Sequence, residues 1–428
     1  MQYLALRCKA LASQFGNSFH YSDSDPDLLL WDAKQTEANH LCWVEPENSA
    51  EVAAVLRVLV DNWCQFAVKG GGHSRHPDDS NSVGGVTVDL NRISSVDLAS
   101  SQTRARVGAG ATGSQLSEPL SLGYVGPRTG SGGVAGFTLG GRHVVLANAT
   151  VVTVAEQSNP DLFWALRGGA NNFGIVTYFT LRVFPQGEVL DLDRSYHINV
   201  TDTFLKEAYE IFDVEISILW SGRYAQPVRD PPIFLEYEPD PAGVRNRRYW
   251  GSLASFATSN APLGTARHLL NTITHYPSRE LSRRAFEIFR EEIHSAANVT
   301  GFLPAPITYS IPAGAITRMQ ERGGNALGLD VERHLIHDAP ASQVIVNNLS
   351  LAWDDETDDE RVMAFASRFL ERYQAAARAL GLYHHFIYVN YADKGQDVFP
   401  SYGESNKQRL IQIQQNVDPL GVFTPHGL

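Results

Sequence analysis

Apolar and polar positions follow two periods along this chain, and each change of period marks an element. In "PENSAEVAAVLRVLVDN" (46–62) Val52, Val55, Leu56 and Leu59 recur at helical spacing. Asn48 is placed to cap that helix, and Glu51, three residues on, completes a capping box. "FAVK" (66–69) follows as a short strand ending in three glycines. In "GGVTVDLNRI" (84–93) Val86, Val88 and Leu90 alternate with Thr87, Asp89 and Asn91, the period of a strand. "RARVGAGATGSQL" (104–116) predicts a strand, a glycine turn and a helix start. "SNPDLFWALRGG" (158–169) predicts a short helix capped by Asn159, with Pro160 in its first position and Gly168 as its stop. "GIVTYFTLRVF" (174–184) predicts a strand with Ile175, Thr177, Phe179, Leu181 and Val183 on one face.

Pro185 and Gly187 then break the chain, and beyond about residue 190 the pattern changes. Longer strands, "IFLEYEPD" and "SQVIVNNLSLAW", alternate with longer helices. The clearest helix is "DDERVMAFASRFLERYQAAARALG", with Val362, Phe365, Phe369 and Tyr373 on one stripe and Gly381 as its stop. An antiparallel sheet with helices on one face is expected there, an α+β arrangement. The tail from His385 to Phe423 predicts a strand, a turn-rich loop and a final helix. Neither an internal repeat nor a low-complexity tract is present.

A length of 428 residues exceeds one ordinary core and predicts two or three domains. The chain is 43% hydrophobic and 19% charged, ordinary for a globular protein. No apolar run approaches the ~20 residues of a membrane helix. A net charge of −12 without a basic stripe argues against a nucleic-acid partner. Cys8, Cys42 and Cys64 fit no zinc spacing. They read either as three buried thiols or as a Cys8–Cys42 bridge with one thiol over. The start of the chain shows no signal-peptide pattern, which by default means the cytoplasm. A bridge and four sequons, at Asn148, Asn199, Asn298 and Asn348, leave secretion open.

Glycine concentrates at Gly70–Gly72, Gly126–Gly141 and Gly168–Gly174. Glycine accepts positive φ and lets main-chain N–H groups converge on an anion. Each loop alone reads as a tight turn; three in the first half, one followed by His73, read as a cradle for a bulky phosphate-bearing cofactor. Two motifs are set aside. "GSGGVA" (130–135) matches a dinucleotide fingerprint but neither follows a hydrophobic strand nor opens a helix. His73 and His76 are three apart in a loop with no third ligand nearby, so no metal is expected.

"FAVKGGGHS", "GGVTVDLNRI", "VGAGAT", "GGVAGFTLGG", "NPDLFWALRGGANNFGIVT", "YVNYAD" and "DPLGVF" occur in this order. Together they resemble the berberine-bridge-enzyme-like branch of the vanillyl-alcohol-oxidase superfamily, FAD-linked oxidoreductases with a PCMH-type flavin domain. The resemblance spans nearly the whole chain. It implies an α+β fold with a two-lobed FAD-binding domain and a substrate domain whose antiparallel sheet is covered by helices. The implied divisions are an N-terminal arm (1–36), the FAD domain (37–187), the substrate domain (188–385) and a segment (386–428) returning to the FAD domain.

The resemblance also implies a site. FAD would be bound by Lys69, Gly70, Gly71, Gly72, His73, Ser74, Gly133, Val134, Gly136, Gly140, Gly141, Gly174, Ile175, Val176 and Asn390. His73 holds the family position that bonds covalently to the flavin 8α carbon. Tyr391, the second tyrosine of "YVNYAD", holds the position of the base in some members; others use an acidic residue of the substrate domain. The implied reaction passes hydride from a small organic alcohol, amine or phenol-derived substrate to FAD, with oxygen as electron acceptor, in secondary metabolism. Trp220, Tyr224, Tyr237 and Trp250 fit a hydrophobic or aromatic substrate and fit a core equally well. The alternative is a flavin-binding but catalytically impaired homologue with a binding or scaffolding role. An NAD(P)-dependent dehydrogenase is disfavoured by the glycine context.

One departure from the family pattern stands out. "GGVAGFTLGGRHVVLANATVVTV" runs from Gly141 through Arg142 and His143 straight into a strand, and a glycine-rich loop usual there is absent. None of the three cysteines lies near it, so a second covalent bond to the flavin is not expected.

Overall fold

The computed structural model describes residues 2–21, 28, 30–111, 124–125, 141–185, 189–197, 217–224, 228, 231, 245–251, 264–330, 334–336, 339–341 and 344–424. Strands β1 (Phe19–Tyr21), β2 (Cys42–Val44), β3 (Phe66–Lys69) and β4 (Val86–Asp89) form a first sheet in the order β1-β2-β4-β3. β2 and β3 run parallel to β4. A second sheet, wholly antiparallel, joins β5 (Val96–Leu98), β6 (Arg104–Gly108), β7 (Arg142–Val145), β8 (Val151–Val154) and β9 (Ile175–Arg182) in the order β5-β6-β9-β7-β8. These are the two lobes of the expected flavin domain.

Helix α1 (Gln2–Phe15) and helix α2 (Ser49–Asp61) close the core of the first lobe. Val52, Val55, Leu56 and Leu59 are fully buried, as their spacing requires. Asn48 accepts from the Ala50 and Glu51 amides. Glu51 reaches one residue beyond the expected box: its carboxylate accepts from the Glu47 amide and from Asn48 Nδ2. The same core includes Val145 of β7 and Ile175 and Tyr178 of β9, so the two lobes share it. Of the two readings for the cysteines, the structure has the bridge: Cys8 of α1 is joined to Cys42 of β2. Closing a loop of 34 residues is worth about 3–4 kcal/mol in the chain-entropy picture.

Helix α3 (Pro160–Ala165) starts on Pro160 as expected, but Asn159 does not cap it. Its φ is +56°, and its side-chain amide donates to Thr153 O at 2.9 Å instead. The strand β9 was expected to bury one face, yet Tyr178 of the other face is buried too. The cause is a bulge between Val176 and Tyr178, together with cover on both sides of the sheet.

In the second domain β10 (Val189–His197) pairs with β11 (Ser217–Tyr224) and β12 (Arg245–Gly251). Strands β13 (Arg267–His275), β14 (Leu303–Ile311), β15 (Val344–Trp353) and β16 (Tyr383–His384) form an antiparallel sheet in the order β14-β15-β13-β16. Helices α4 (Arg279–Ile293) and α6 (Asp359–Ala379) cover one face; between them in sequence lies α5 (Ala313–Glu321). Leu269, Ile273, Leu349, Leu351 and Trp353 meet Leu281, Ile288, Val362, Phe365 and Phe369 on the covered face. Side chains alternate across a strand, so His268, Thr272, Thr274, Asn348 and Tyr309 point to the opposite face. Asn348 is 3% exposed within β15, which rules out a glycan there. Asn148 and Asn298 lie exposed, and Asn199 falls outside the described residues. So does the expected strand 233–240.

The tail returns to the flavin domain. Helix α7 (Glu404–Val417) sets Leu410 and Ile413 against Phe163 and Trp164 of α3. Asp418, fully buried, accepts from the Val422 and Phe423 amides and so turns Phe423 onto Phe66 of β3.

Candidate functional site

Strand β3 delivers the chain to the glycine loop. Lys69 ends the strand, and its ammonium donates to both carboxylate oxygens of Asp89 on β4, at 2.9 and 3.0 Å. Both residues are buried. Burial pushes the Asp89 carboxyl above the usual range, against the pull of Lys69. The Lys69 side chain therefore fastens the root of the loop. Gly70 passes so close to the turn after β6 that a Cβ would lie 3.1 Å from Ala109 O. Gly72 has φ +69°, and its carbonyl accepts from the Trp31 amide at 2.9 Å. Gly71 is exposed, and Ser74 donates to Asp79 at 2.6 Å.

His73 stands at the end of this loop. Its ring lies against Trp31, centroids 3.7 Å apart and planes 10° from parallel. His268 stacks on Trp31 in turn, again at 3.7 Å. The remainder of His73 is open to solvent. Crowding by neighbouring atoms lowers its basicity, with the charges of His268 and Arg75 adding to the effect. A neutral imidazole at neutral pH is the nucleophilic form. Asp32, fully buried, supports the stack from behind. It accepts from the Lys34 amide, the His268 amide and the His268 ring, the last at 3.2 Å.

Tyr391 lies across a seam from this loop. The strand expected at the start of the tail is not formed: beyond His384 the chain turns, with the Tyr391 amide donating to Tyr388 O at 3.0 Å. Tyr388 and Tyr391 would sit on alternate faces of a strand; the turn instead brings their rings together, 5.2 Å apart and edge to face. Tyr309 of β14 completes the group, 6.0 Å from Tyr391 and 6.3 Å from Tyr388. Burial raises the Tyr388 phenol to about 12 and pushes Tyr309 up further. Asn390 donates to the Tyr388 hydroxyl at 2.6 Å.

Arg75 closes the seam. Its guanidinium is 8% exposed and donates to Asn390 O at 3.4 Å and to Ala392 O at 2.5 Å. Lys394 extends the seam by donating to Pro77 O. Arg75, Trp31, Asp32 and His268 were not legible as site residues. The one signal for Arg75 was its place two residues after His73.

The remaining candidates lie on the second sheet. Gly141 and Gly174 flank the two ends of β7. Gly141 O accepts from the Thr180 amide, and a Cβ on Gly174 would meet Val145 O at 2.7 Å. Ile175 is buried in the shared core, and Val176 pairs with Val144. Gly133, Val134, Gly136 and Gly140 lie outside the described residues. Among those described, no three metal-ligating side chains converge, and no helix is long and apolar enough to cross a membrane.

A loop stripped of side chains, a buried cation and a histidine open at its edge fit a bulky anionic cofactor. The fold, two small sheets sharing a core beside a helix-covered antiparallel sheet, is that of a flavin-binding oxidoreductase. The comparisons agree. Residues 41–154 match the FAD binding domain family. The FAD-dependent monooxygenase tpcD of Cochliobolus heterostrophus is 33% identical over 450 positions, covering 92% of this chain and 85% of that protein. An alignment of 450 positions over 92% of 428 residues contains many places where this chain has no residue. The solved structure of Physcomitrella patens BBE-like 1 superimposes with a TM-score of 0.69 at 19% identity, covering 97% of each chain. Glucooligosaccharide oxidase from Acremonium strictum, which carries a 6-S-cysteinyl, 8α-N1-histidyl FAD, superimposes equally well, at 20% identity and 97% of each chain. The chain belongs to the family of FAD-linked oxidoreductases that includes tpcD, shares its fold with berberine-bridge-enzyme-like proteins, and is itself an FAD-linked oxidoreductase.

Proposed function

We propose that the protein is an oxidase that removes two electrons from a small organic alcohol, amine or phenol-derived substrate in secondary metabolism. FAD, attached through His73, supplies the two-electron acceptor, and oxygen takes the electrons on as hydrogen peroxide. Tyr391 receives the substrate proton, and Asn390 lies against the cofactor beside it. The observation that carries this reading is the pairing of His73, open at its ring edge, with a tyrosine cluster fastened to the same loop. The face of the second-domain sheet opposite α4 and α6 supports a polar contact to substrate. Thr274 Oγ1, Asn348 Oδ1 and Tyr309 Oη are buried on that face without partners among the described residues. Buried polar atoms of this kind call for a ligand or a water.

An absorbance spectrum taken before and after acid precipitation tests the cofactor assignment. Flavin should stay with the pellet, and His73→Ala should make it extractable. Complete release from the unmodified protein would remove His73 from its role.

The name of the 33% identical relative favours a second reading, a monooxygenase. Oxygen gas labelled with the heavy isotope separates the two. An oxidase puts the label in peroxide; a monooxygenase puts one atom in product and one in water.

A further inference from the structure

We propose that Arg75 is the positioning residue of Tyr391, fixing the backbone on both sides of it and setting a fixed positive charge beside its phenol. This rests on the reading of Tyr391 as the base. The two carbonyls that accept from Arg75 belong to Asn390 and Ala392, so the guanidinium brackets the tyrosine. A planar fork can span two such acceptors, whereas an ammonium is a single point of charge. Arg75 also belongs to the loop that carries His73. One side chain thus links the candidate attachment point to the candidate base.

The charge on Arg75 is not neutralised. Its hydrogen bonds go to carbonyls, and among the described residues it forms no ion pair. Asp32, Asp79 and Asp393 act on it only through space, as does Tyr391. Its Nε is buried without a partner among the described residues. His73 and His76 lie within its field, and both are made less basic by it. On the other side Tyr391 packs edge to face against two phenols, Tyr309 and Tyr388. Arg75 is therefore the cation that acts on the Tyr391 side chain, and it stays charged across the working pH range. Burial costs this cation hydration, and the two carbonyls recover only part of it. Neither local periodicity nor the helix and strand core explains an arginine there.

The test uses the flavin-loaded full-length protein with 3-fluorotyrosine at position 391, titrated by fluorine NMR, which needs no substrate. Arg75→Gln should raise the midpoint of that resonance by about one pH unit or more, a tenfold weaker acid. It should also speed amide exchange over Asn390–Ala392. Arg75→Lys keeps the charge and loses the fork: exchange should quicken while the midpoint moves less than in Arg75→Gln. If Arg75→Gln fails to fold, unchanged exchange in Arg75→Lys still overturns the clamp. An unmoved midpoint with unmoved exchange in Arg75→Gln overturns the proposal outright. Failure of the base assignment reads differently: Tyr391→Phe would then leave flavin reduction unchanged, whatever the fluorine titration shows.

Discussion

His73 and Trp31 lie face to face, 3.7 Å between ring centroids and 10° from parallel, with His268 on the far side of the indole. The stack bridges the flavin loop and strand β13 of the second domain. It leaves the edge of His73, where its nitrogens lie, clear of the indole. Aromatic pairs contribute about 0.5–1.5 kcal/mol beyond their burial, roughly a two- to tenfold bias toward one ring orientation. Trp31→Ala should therefore lower the covalently bound share of flavin severalfold, while Trp31→Phe should keep most of it. Acid-precipitable flavin absorbance measures both, and equal covalent flavin in all three proteins would show that the stack does not orient His73.

Tyr391→Phe should leave flavin content near that of the unmodified protein and slow reduction of the flavin by substrate. General base catalysis typically contributes about 10²–10⁴-fold. Anaerobic stopped-flow at the flavin band gives the rate once a substrate panel has yielded a hit. A change under about threefold would move the base to a carboxylate of the second domain.

The short connection before β7 should limit flavin loading. The sequence lacks the glycine-rich loop whose main-chain donors would face the flavin, and each lost hydrogen bond is worth about 0.5–1.5 kcal/mol net. Incomplete flavin and low turnover are expected of this chain. A family-like loop should raise both, and the structure fixes where to insert it. Arg142 and His143 already pair with Phe179 and Tyr178, so the insertion belongs between Gly141 and Arg142. Full flavin stoichiometry with brisk turnover in the unmodified chain would refute this.

Stability should fall as pH drops below the ordinary imidazole value of ~6.5. His275, the most fully buried of the affected histidines, is one cause. It is 1% exposed, and its Nδ1 donates to Tyr276 O, so the ring is neutral with Nε2 as acceptor. Asn347 and Tyr373 both donate to Nε2, at 2.7 and 2.9 Å. Burial lowers its proton affinity, and His40 and His143 shift the same way. Between the folded and unfolded values the unfolded state holds more protons, so stability is complete above the unfolded value and declines in acid. Urea midpoints from pH 7 down to 5 should show the decline, and His275→Gln should flatten it despite a lower stability throughout. An identical slope in that variant would assign the titration elsewhere.

What the sequence determined alone was whatever rests on local spacing. Val52, Val55, Leu56 and Leu59 must share a helix face because 3.6 residues make a turn, and all four are buried. The stripe of Val362, Phe365, Phe369 and Tyr373 succeeds for the same reason. "KGGGHS" stands out in the sequence because three glycines before a histidine carry a local conformational cost, and Gly70 does pass close to Ala109 O. Tertiary structure decided the rest. Tyr388 and Tyr391 share a side because the tail turns over Tyr309, a contact made 79 and 82 residues away in sequence. Lys69 faces Asp89 because two parallel strands bring them into register. Arg75 meets Asn390 and Ala392 across more than 300 positions, and Trp31 meets His268 across more than 200. No local period encodes such contacts. They exist because separate cores, each formed for its own reasons, present those side chains to a common seam.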